Sequence, residues 1–207
     1  MKQKEILLFG ATGQIGRNLI RKLSKNNYKI TAVTRNIHRA GYILKTQANP
    51  GYLELVELNN FNLDKIDSLI KHCSICINLI GILYEKKKND FNLIHSDLPS
   101  LLSKIASSKS IDQFIHISAL GIENAVDSRY AVSKLDGENK IKNNFSKYLI
   151  LKPSIVYSVD DNFTTRFMKL LSLLPFMPLY YSGKTKFTPI HVSDLTDIIY
   201  KSVEKKL

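Results

Sequence analysis

Seven residues near the start of the chain, Gly10-Ala11-Thr12-Gly13-Gln14-Ile15-Gly16, constrain its fold more than any other stretch. The run before them, Glu5-Ile6-Leu7-Leu8-Phe9, is long enough for one buried strand. After them Ile15, Leu19, Ile20 and Leu23 recur at helical spacing. The three glycines therefore fall in a strand-to-helix turn. A tight turn takes a residue without a Cβ there, and a backbone that approaches a pyrophosphate takes another. The helix that begins at the turn aims free N–H groups and the positive end of its dipole at the phosphates. The spacing is G-x-x-G-x-x-G rather than G-x-G-x-x-G, and alone such a triplet also occurs as a bare structural turn. Its place between a strand and a helix points to dinucleotide binding, with Gly10, Thr12, Gly13, Gln14, Ile15 and Gly16 as candidate contacts.

The rest of the chain repeats this alternation. Apolar runs predict strands over 5–9, 28–34, 52–58, 74–80, 112–118 and 147–152. Helical periodicity predicts helices over 14–25, 37–46, 63–71, 90–108, 127–143, 161–173 and 193–204. Such alternation implies an α/β fold, a doubly wound parallel sheet with helices on both faces and strand order 3-2-1-4-5-6. Beyond Tyr157 the pattern loosens. Pro175, Pro178, Gly183 and Pro189 break the chain into short pieces, as suits a small lobe over a substrate crevice. We therefore divide the chain into a nucleotide-binding domain, 1–156, and a partial substrate-lobe segment, 157–207, packed on it. Leu170, Leu171, Leu173, Leu174, Phe176 and Met177 read as lobe core; exposed, they would form a docking patch.

Charge and cysteine content narrow the partners. The net charge of +12 admits an anionic partner, but lysines and asparagines are spread over all 207 residues. Only Lys86-Lys87-Lys88 forms a run, read as a solvated loop, and no nucleic-acid-binding signature accompanies it. We expect no nucleic acid partner. No stretch reaches the ~20 apolar residues of a membrane helix, and the first strand leaves no room for a signal peptide. The expected location is cytosolic. Cys73 and Cys76 form the only C-x-x-C, too few ligands for zinc, and read as reduced structural thiols. No metal site is expected.

Two further stretches carry chemistry. An acidic residue about twenty past the glycines would pair with the ribose hydroxyls of NAD. Here Arg35 stands nineteen past Gly16, with no carboxylate nearby in sequence and with Arg17 and Arg39 close. A cationic cluster suits a 2′-phosphate, so NADP(H) is favoured over NAD(H). Further on, Tyr130 and Lys134 are four apart on a helix and share a face. An ammonium beside a phenol is expected to lower its pKa from about 10 and make it a proton donor or acceptor for carbonyl–alcohol interconversion. His116, in an apolar strand, reads as a satisfied interior histidine.

These residues resemble the short-chain dehydrogenase/reductase superfamily of the extended or atypical type, along the whole chain. The resemblance rests on GATGQIG, Asn78-Leu79-Ile80-Gly81, Tyr130-Ala131-Val132-Ser133-Lys134, Lys152-Pro153-Ser154-Ile155-Val156-Tyr157, and His191-Val192 with Asp194. More narrowly, Ile77 to Gly81, Phe114 to Gly121, Pro153 to Tyr157, Asp161-Asn162-Phe163 and Gly183 to Phe187 are similar to the nucleotide-binding accessory subunits of respiratory NADH:quinone oxidoreductase (complex I) and their bacterial relatives. The resemblance implies a Rossmann-type domain with the dinucleotide across Gly10, Gly13 and Gly16. It implies Arg35 at the 2′-phosphate, Asn59 near the adenine in place of the family's Asp, and Lys134 at the nicotinamide ribose. Backbone at Leu79, Ile80 and Gly81 and around Pro153 lines the remainder.

Departures from the family pattern bear on turnover. Catalytic members end the strand before the Tyr in a Ser pair whose second member polarises the carbonyl. Here Ser118 holds the first place and Ala119 the second, and successive residues of an extended chain face opposite ways. The relay Asn of the preceding helix falls at His95, and Ser158 replaces a Gly. The catalytic candidates are thus Tyr130, Lys134 and Ser118, with half of the site altered. The expected function is an accessory or assembly protein of complex I with little turnover, peripheral at the inner membrane. The alternative is an active NAD(P)-dependent reductase or epimerase on a nucleotide-sugar-like or quinone-like substrate. The family continues beyond residue 207, so a closing part of the substrate lobe is expected to be missing or shortened.

Overall fold

The computed structural model describes residues 4–161, 164–173, 184 and 186–205. Its centre is one parallel sheet of six strands in the order β3-β2-β1-β4-β5-β6. The strands are β1 (Glu5–Phe9), β2 (Lys29–Thr34), β3 (Leu53–Glu57), β4 (Ile75–Asn78), β5 (Gln113–Ile117) and β6 (Tyr148–Leu151). Between them run α1 (Gln14–Lys25), α2 (Ile37–Lys45), α3 (Leu63–Lys71), α4 (Leu98–Ser108) and α5 (Arg129–Asn144). The predicted order and element types hold; β1 keeps its predicted bounds, and the other strands are shorter than predicted by a residue or two at one or both ends.

The alternation of strand side chains divides the core into two layers. Ile6, Leu8, Ile30, Ala32, Ile75, Ile77, Ile115 and Ile117 face Leu19, Ile20 and Leu23 of α1 and Ala40 and Leu44 of α2. Leu7, Phe9, Val33, Cys76 and Phe114 face α3, α4 and α5 through Ile66, Ile70, Leu98, Leu102, Ala106 and Ile141. A strand covered on both faces must be apolar at nearly every position, which is why β1 reads as an unbroken hydrophobic run. Cys73 precedes β4 and packs on the same layer as Cys76 rather than opposite it. Both thiols are free. Burial pushes Cys73 up to about 12 and Cys76 upward too, so neither ionises at neutral pH.

Helix starts follow local chemistry. Asn36 Oδ1 accepts from Arg39 N–H at 2.9 Å, and Asn62 Oδ1 from Lys65 N–H at 3.0 Å. The predicted helix over 90–108 is interrupted. Asn92–Asp97 forms a π-helical stretch that runs directly into α4. Its register brings the His95 carbonyl against α5 at Gly137, where an added Cβ would lie 1.9 Å from that oxygen. Only a glycine permits this approach, despite its cost within a helix.

The C-terminal segment adds β7 (Val156–Tyr157), α6 (Thr164–Leu173), β8 (Ile190–His191) and α7 (Val192–Lys205). The two-residue strands β7 and β8 pair in parallel and carry too little pattern to read from sequence. Leu195, Ile199 and Val203 of α7 complete the layer over α1. Leu170, Leu171 and Leu173 of α6 are exposed, so they are not the lobe core that their apolar character suggested. Leu174, Pro175, Phe176, Met177, Pro178, Gly183, Asn162, Phe163 and Thr185 lie outside the described residues. Among the described residues no helix is long and apolar enough to cross a membrane, and no group of residues could hold a metal ion.

Candidate functional site

The glycine turn joins β1 to α1 at the carboxyl edge of the sheet. Gly10 has φ +83°, and a Cβ there would lie 2.8 Å from the Leu79 carbonyl carbon at the end of β4. Gly16 is tighter still, with backbone atoms of Gly10 and Ala11 within 2.7 Å of a Cβ position. These two glycines let the backbone fold onto itself. Gly13 differs. Its Cβ would meet only Gly10 O, at 3.4 Å, and it caps α1 without a side-chain bond. The first amides of a helix have no acceptor within it, so this opening in front of Gln14 and Ile15 is a cradle for an anion. The turn fits a pyrophosphate.

The candidate ribose corner lies at the end of β2. Arg35 and Arg39 are exposed there. Arg17, grouped with them from sequence, has partners of its own. It pairs with Asp160 and approaches Thr12 O at 3.5 Å. Sequence proximity did not reveal Asp160, which comes from a loop 143 positions away. That loop is seated on the first turn of α1, because Gln14 Nε2 also donates to Ser158 Oγ at 2.9 Å. Asp161, only 2% exposed, fixes the loop by accepting from Ser158 N–H at 3.1 Å and Thr164 N–H at 2.6 Å.

A carboxylate does stand in this corner, contrary to the linear reading. Glu57 ends β3 in register with Thr34 of β2. Its Oε2 accepts from Ile37 N–H at 2.8 Å and its Oε1 from Asn59 Nδ2 at 3.1 Å. The Ile37 amide, first, and Asn59 hold its pKa below the usual carboxylate range. Glu57, Asn59, Asn60, Asn62, Asp64, Lys65 and Ser68 line an open groove of about 670 Å³. Asn59 thus faces the groove with its amide bonded to Glu57.

The third part lies at the ends of β4 and β5 under α5. Gly81 is exposed, and a Cβ on it would be 3.8 Å from Lys134 Nζ and 3.9 Å from His95 Nε2. Lys134 is 5% exposed, donates to Ile117 O at 3.4 Å and lies over the Tyr130 ring, 5.6 Å from its centre. The pair does not behave as expected from sequence. Burial raises the Tyr130 pKa and pulls Lys134 down to about 8, with Glu138 acting in the opposite direction on the lysine. A poorly solvated site disfavours both charges, so the phenol stays protonated rather than becoming easier to ionise. The Pro153 carbonyl accepts from Leu120 N–H at 3.0 Å, just past the end of β5.

His95 is held at both ring nitrogens. Ile82 N–H donates to Nε2 at 3.1 Å, which leaves the proton on Nδ1 to donate to Ser133 Oγ at 3.0 Å. The Ser133 hydroxyl in turn donates to Tyr130 O at 2.8 Å. The His95 ring stacks on Phe91 and meets the Tyr130 ring edge-on at 5.1 Å. Burial, followed by the Lys134 charge, lowers His95 to about 4, so it is neutral at physiological pH.

His116 is not fully satisfied. Asn78 Oδ1 accepts from Ile80 N–H at 3.1 Å, so its amide nitrogen donates to His116 Nδ1 at 3.2 Å. The His116 proton then sits on Nε2, which has no hydrogen-bond partner among the described residues. Ser118 bonds through its N–H to Leu151 O at 2.8 Å and stays extended. Its buried hydroxyl also lacks a partner among the described residues. Ser118 shares the side of the strand with His116, and Ala119 takes the other. Behind them Glu138, fully buried, pairs with Lys152 at 2.9 Å, and Lys152 also pairs with Glu123. Gly137 and Glu138 escaped the sequence reading. A lone glycine within a helix was the available signal for the first, whereas the partner of Glu138 comes from a distant strand end.

Residues 10–171 match a family model described as NAD(P)H-binding. Among curated relatives, the mouse mitochondrial NADH dehydrogenase [ubiquinone] 1 alpha subcomplex subunit 9 is 27% identical over 91% of this chain and 50% of its own length. The 40 kDa subunit of Neurospora crassa NADH-ubiquinone oxidoreductase is 23% identical over 91% of this chain and 49% of its own. The chain thus spans about half the length of these relatives. Among solved structures, the Bordetella bronchiseptica enzyme WbmH, in complex with NAD+, superposes with a TM-score of 0.76 at 17% identity, covering 98% of this chain and 73% of that one. With its Rossmann-type sheet, its glycine turn and a match over more than half its length, the chain belongs to this NAD(P)H-binding family, within the short-chain dehydrogenase/reductase fold.

Proposed function

We propose that this chain holds NADP(H) tightly and serves as an accessory or assembly factor of a respiratory NADH:quinone oxidoreductase, peripheral at the membrane, with little turnover of its own. The observation that carries this reading is the state of the Tyr130–Lys134 end. Both nitrogens of His95 are occupied, and Ala119 takes the sequence place at which catalytic members of the resembled superfamily carry the carbonyl-polarising serine. Catalysis on a carbonyl requires a donor aimed at the oxygen as charge develops there, and an alanine has none. The names of the curated relatives supply the complex.

In this reading Gly10, Thr12, Gly13, Gln14, Ile15 and Gly16 hold the pyrophosphate, Arg35 the 2′-phosphate, and Asn59 the adenine. Lys134 holds the nicotinamide ribose, and backbone at Leu79, Ile80 and Gly81 and around Pro153 lines the remainder. The bound nicotinamide would supply a hydride. Tyr130 and Lys134 orient the ribose beside it, and the His95–Ser133 bonds fix Tyr130's helix against the loop at Ile82. Residues 1–156 form the nucleotide-binding unit in this assignment and 157–207 its lobe segment. A reductase or epimerase is the second reading, favoured by the juxtaposition of Tyr130 and Lys134 itself.

One experiment separates the two. Mass spectrometry identifies the nucleotide that co-purifies, and capture from native membranes identifies the complex. NADPH oxidation is then followed across carbonyl and quinone substrates for wild type and Tyr130→Phe. The accessory reading expects bound NADP(H), recovery with respiratory subunits and negligible oxidation by either protein. A robust wild-type rate that collapses in Tyr130→Phe replaces it with the reductase or epimerase.

A further inference from the structure

We infer that Glu57 is a specificity-determining residue that acts against a 2′-phosphate and so opposes Arg35 across the same ribose corner. This deepens the proposed function and rests on the dinucleotide reading. Parallel pairing puts Glu57 beside Thr34, and Leu58 N–H extends the ladder by donating to Thr34 O at 2.8 Å. Arg35 follows Thr34 directly. The two opposite charges therefore emerge from adjacent strand ends, although they stand 22 positions apart in sequence. On β3, Leu53, Leu55 and Glu57 share the face that α2 covers, and Leu53 and Leu55 pack into that layer.

The carboxylate is fixed rather than free. Its two oxygens are held by the first amide of α2 and by the Asn59 side chain. That amide, two residues past Arg35, is one that an incoming phosphate would otherwise use, since helix N-termini favour anions. With Glu57 bound there, the amide is already neutralised. A phosphate reaching Arg35 settles near a permanent negative charge instead of a vacant donor. Adenosine with a free 2′-hydroxyl meets no such repulsion and can remain beside the carboxylate. Glu57 also stays ionised through the physiological range, because its hydrogen bonds favour the charged form. Lys65 faces the same carboxylate and offsets part of its field, so the residual repulsion is moderate.

The test is the affinity of the full chain for NADPH and NADH, by fluorescence titration, in wild type, Glu57→Gln and Glu57→Thr. Glutamine keeps an oxygen to accept from Ile37 N–H and removes only the charge. Threonine shortens the side chain and serves if the glutamine variant folds poorly. Glu57→Gln is expected to tighten NADPH several-fold and leave NADH within about twofold, since it removes one solvent-screened like charge from the corner. If both nucleotides shift equally, the residue is only a cap for α2 and the inference is overturned. If the ratio moves solely because NADH is lost, the carboxylate grips the ribose hydroxyls, and the repulsion is again overturned. A wild type that binds neither nucleotide removes the dinucleotide reading itself, whereas a wild type that binds and a glutamine variant with an unchanged ratio removes only the role of Glu57.

Discussion

The two ends of the candidate dinucleotide site are built from different materials. At the phosphate end the shape comes from atoms that are absent: Gly10 and Gly16 allow the backbone to fold onto itself, and Gly13 leaves the space in front of α1 open. At the nicotinamide end the shape comes from crowded side chains. Tyr130, Lys134, His95 and His116 share a poorly solvated volume, and their titration is set by burial more than by pairwise charge. The first end is a backbone device that tolerates almost no substitution. The second is an electrostatic device whose properties shift with each neighbour. A local motif therefore describes the first nearly completely and the second only by location.

The largest effects should come from breaking the backbone device. Gly16→Ala forces a methyl group into backbone atoms of the turn and should cost about 3 kcal/mol of stability or more, read from chemical denaturation. Gly13→Val should leave the unfolding midpoint close to wild type but abolish NADPH binding, because its side chain fills the phosphate space. If Gly13→Val binds normally, the cradle at α1 is not where the phosphates go.

Lys134 sharpens the other half of the comparison. Its folded pKa of about 8 lies below the ordinary 10.5, so between these values the unfolded chain binds the proton that the folded chain releases. Stability should then rise with pH from about 8 to 10.5, by up to about 3 kcal/mol, and the full cost of burying the ammonium should be present below 8. Lys134→Met should stabilise the nucleotide-free protein at pH 7, remove that slope and weaken NADPH binding. A variant less stable than wild type would show that the ammonium's contact with Ile117 O outweighs its desolvation.

His116 gives the matching test in acid. Burial, with the charge on Lys134 and then His95, lowers it to about 3. The unfolded chain takes up this proton near pH 6.5 and the folded chain does not, so stability falls as pH drops from 6.5 towards 3. His116→Gln should flatten this part of the denaturation profile, and an unchanged profile would place the acid sensitivity elsewhere. A smaller effect, about one to two decades in affinity, is expected for Arg35→Asp, which exchanges an attraction to phosphate for a repulsion of roughly 1.5–3 kcal/mol. It should weaken NADPH and spare NADH in equilibrium titrations. An unmoved ratio would put the 2′-phosphate outside the corner formed by β2 and β3.

The sequence by itself determined the six-stranded order, the two helical layers and the glycine turn, because these follow from periodicity and from residues adjacent in the chain. It also located Tyr130 and Lys134 on one helical face. The tertiary structure alone decided what those residues experience. Glu57 reaches the end of β2 because β3 pairs with it, and Asp160 reaches Arg17 because a distant loop seats on α1. The π-helical stretch brings His95 against Gly137 and Tyr130, and no periodicity announces it. Desolvation reversed the expected shift of Tyr130 for the same reason. Burial sums over every neighbour in space, whereas a spacing of four residues reports only one of them.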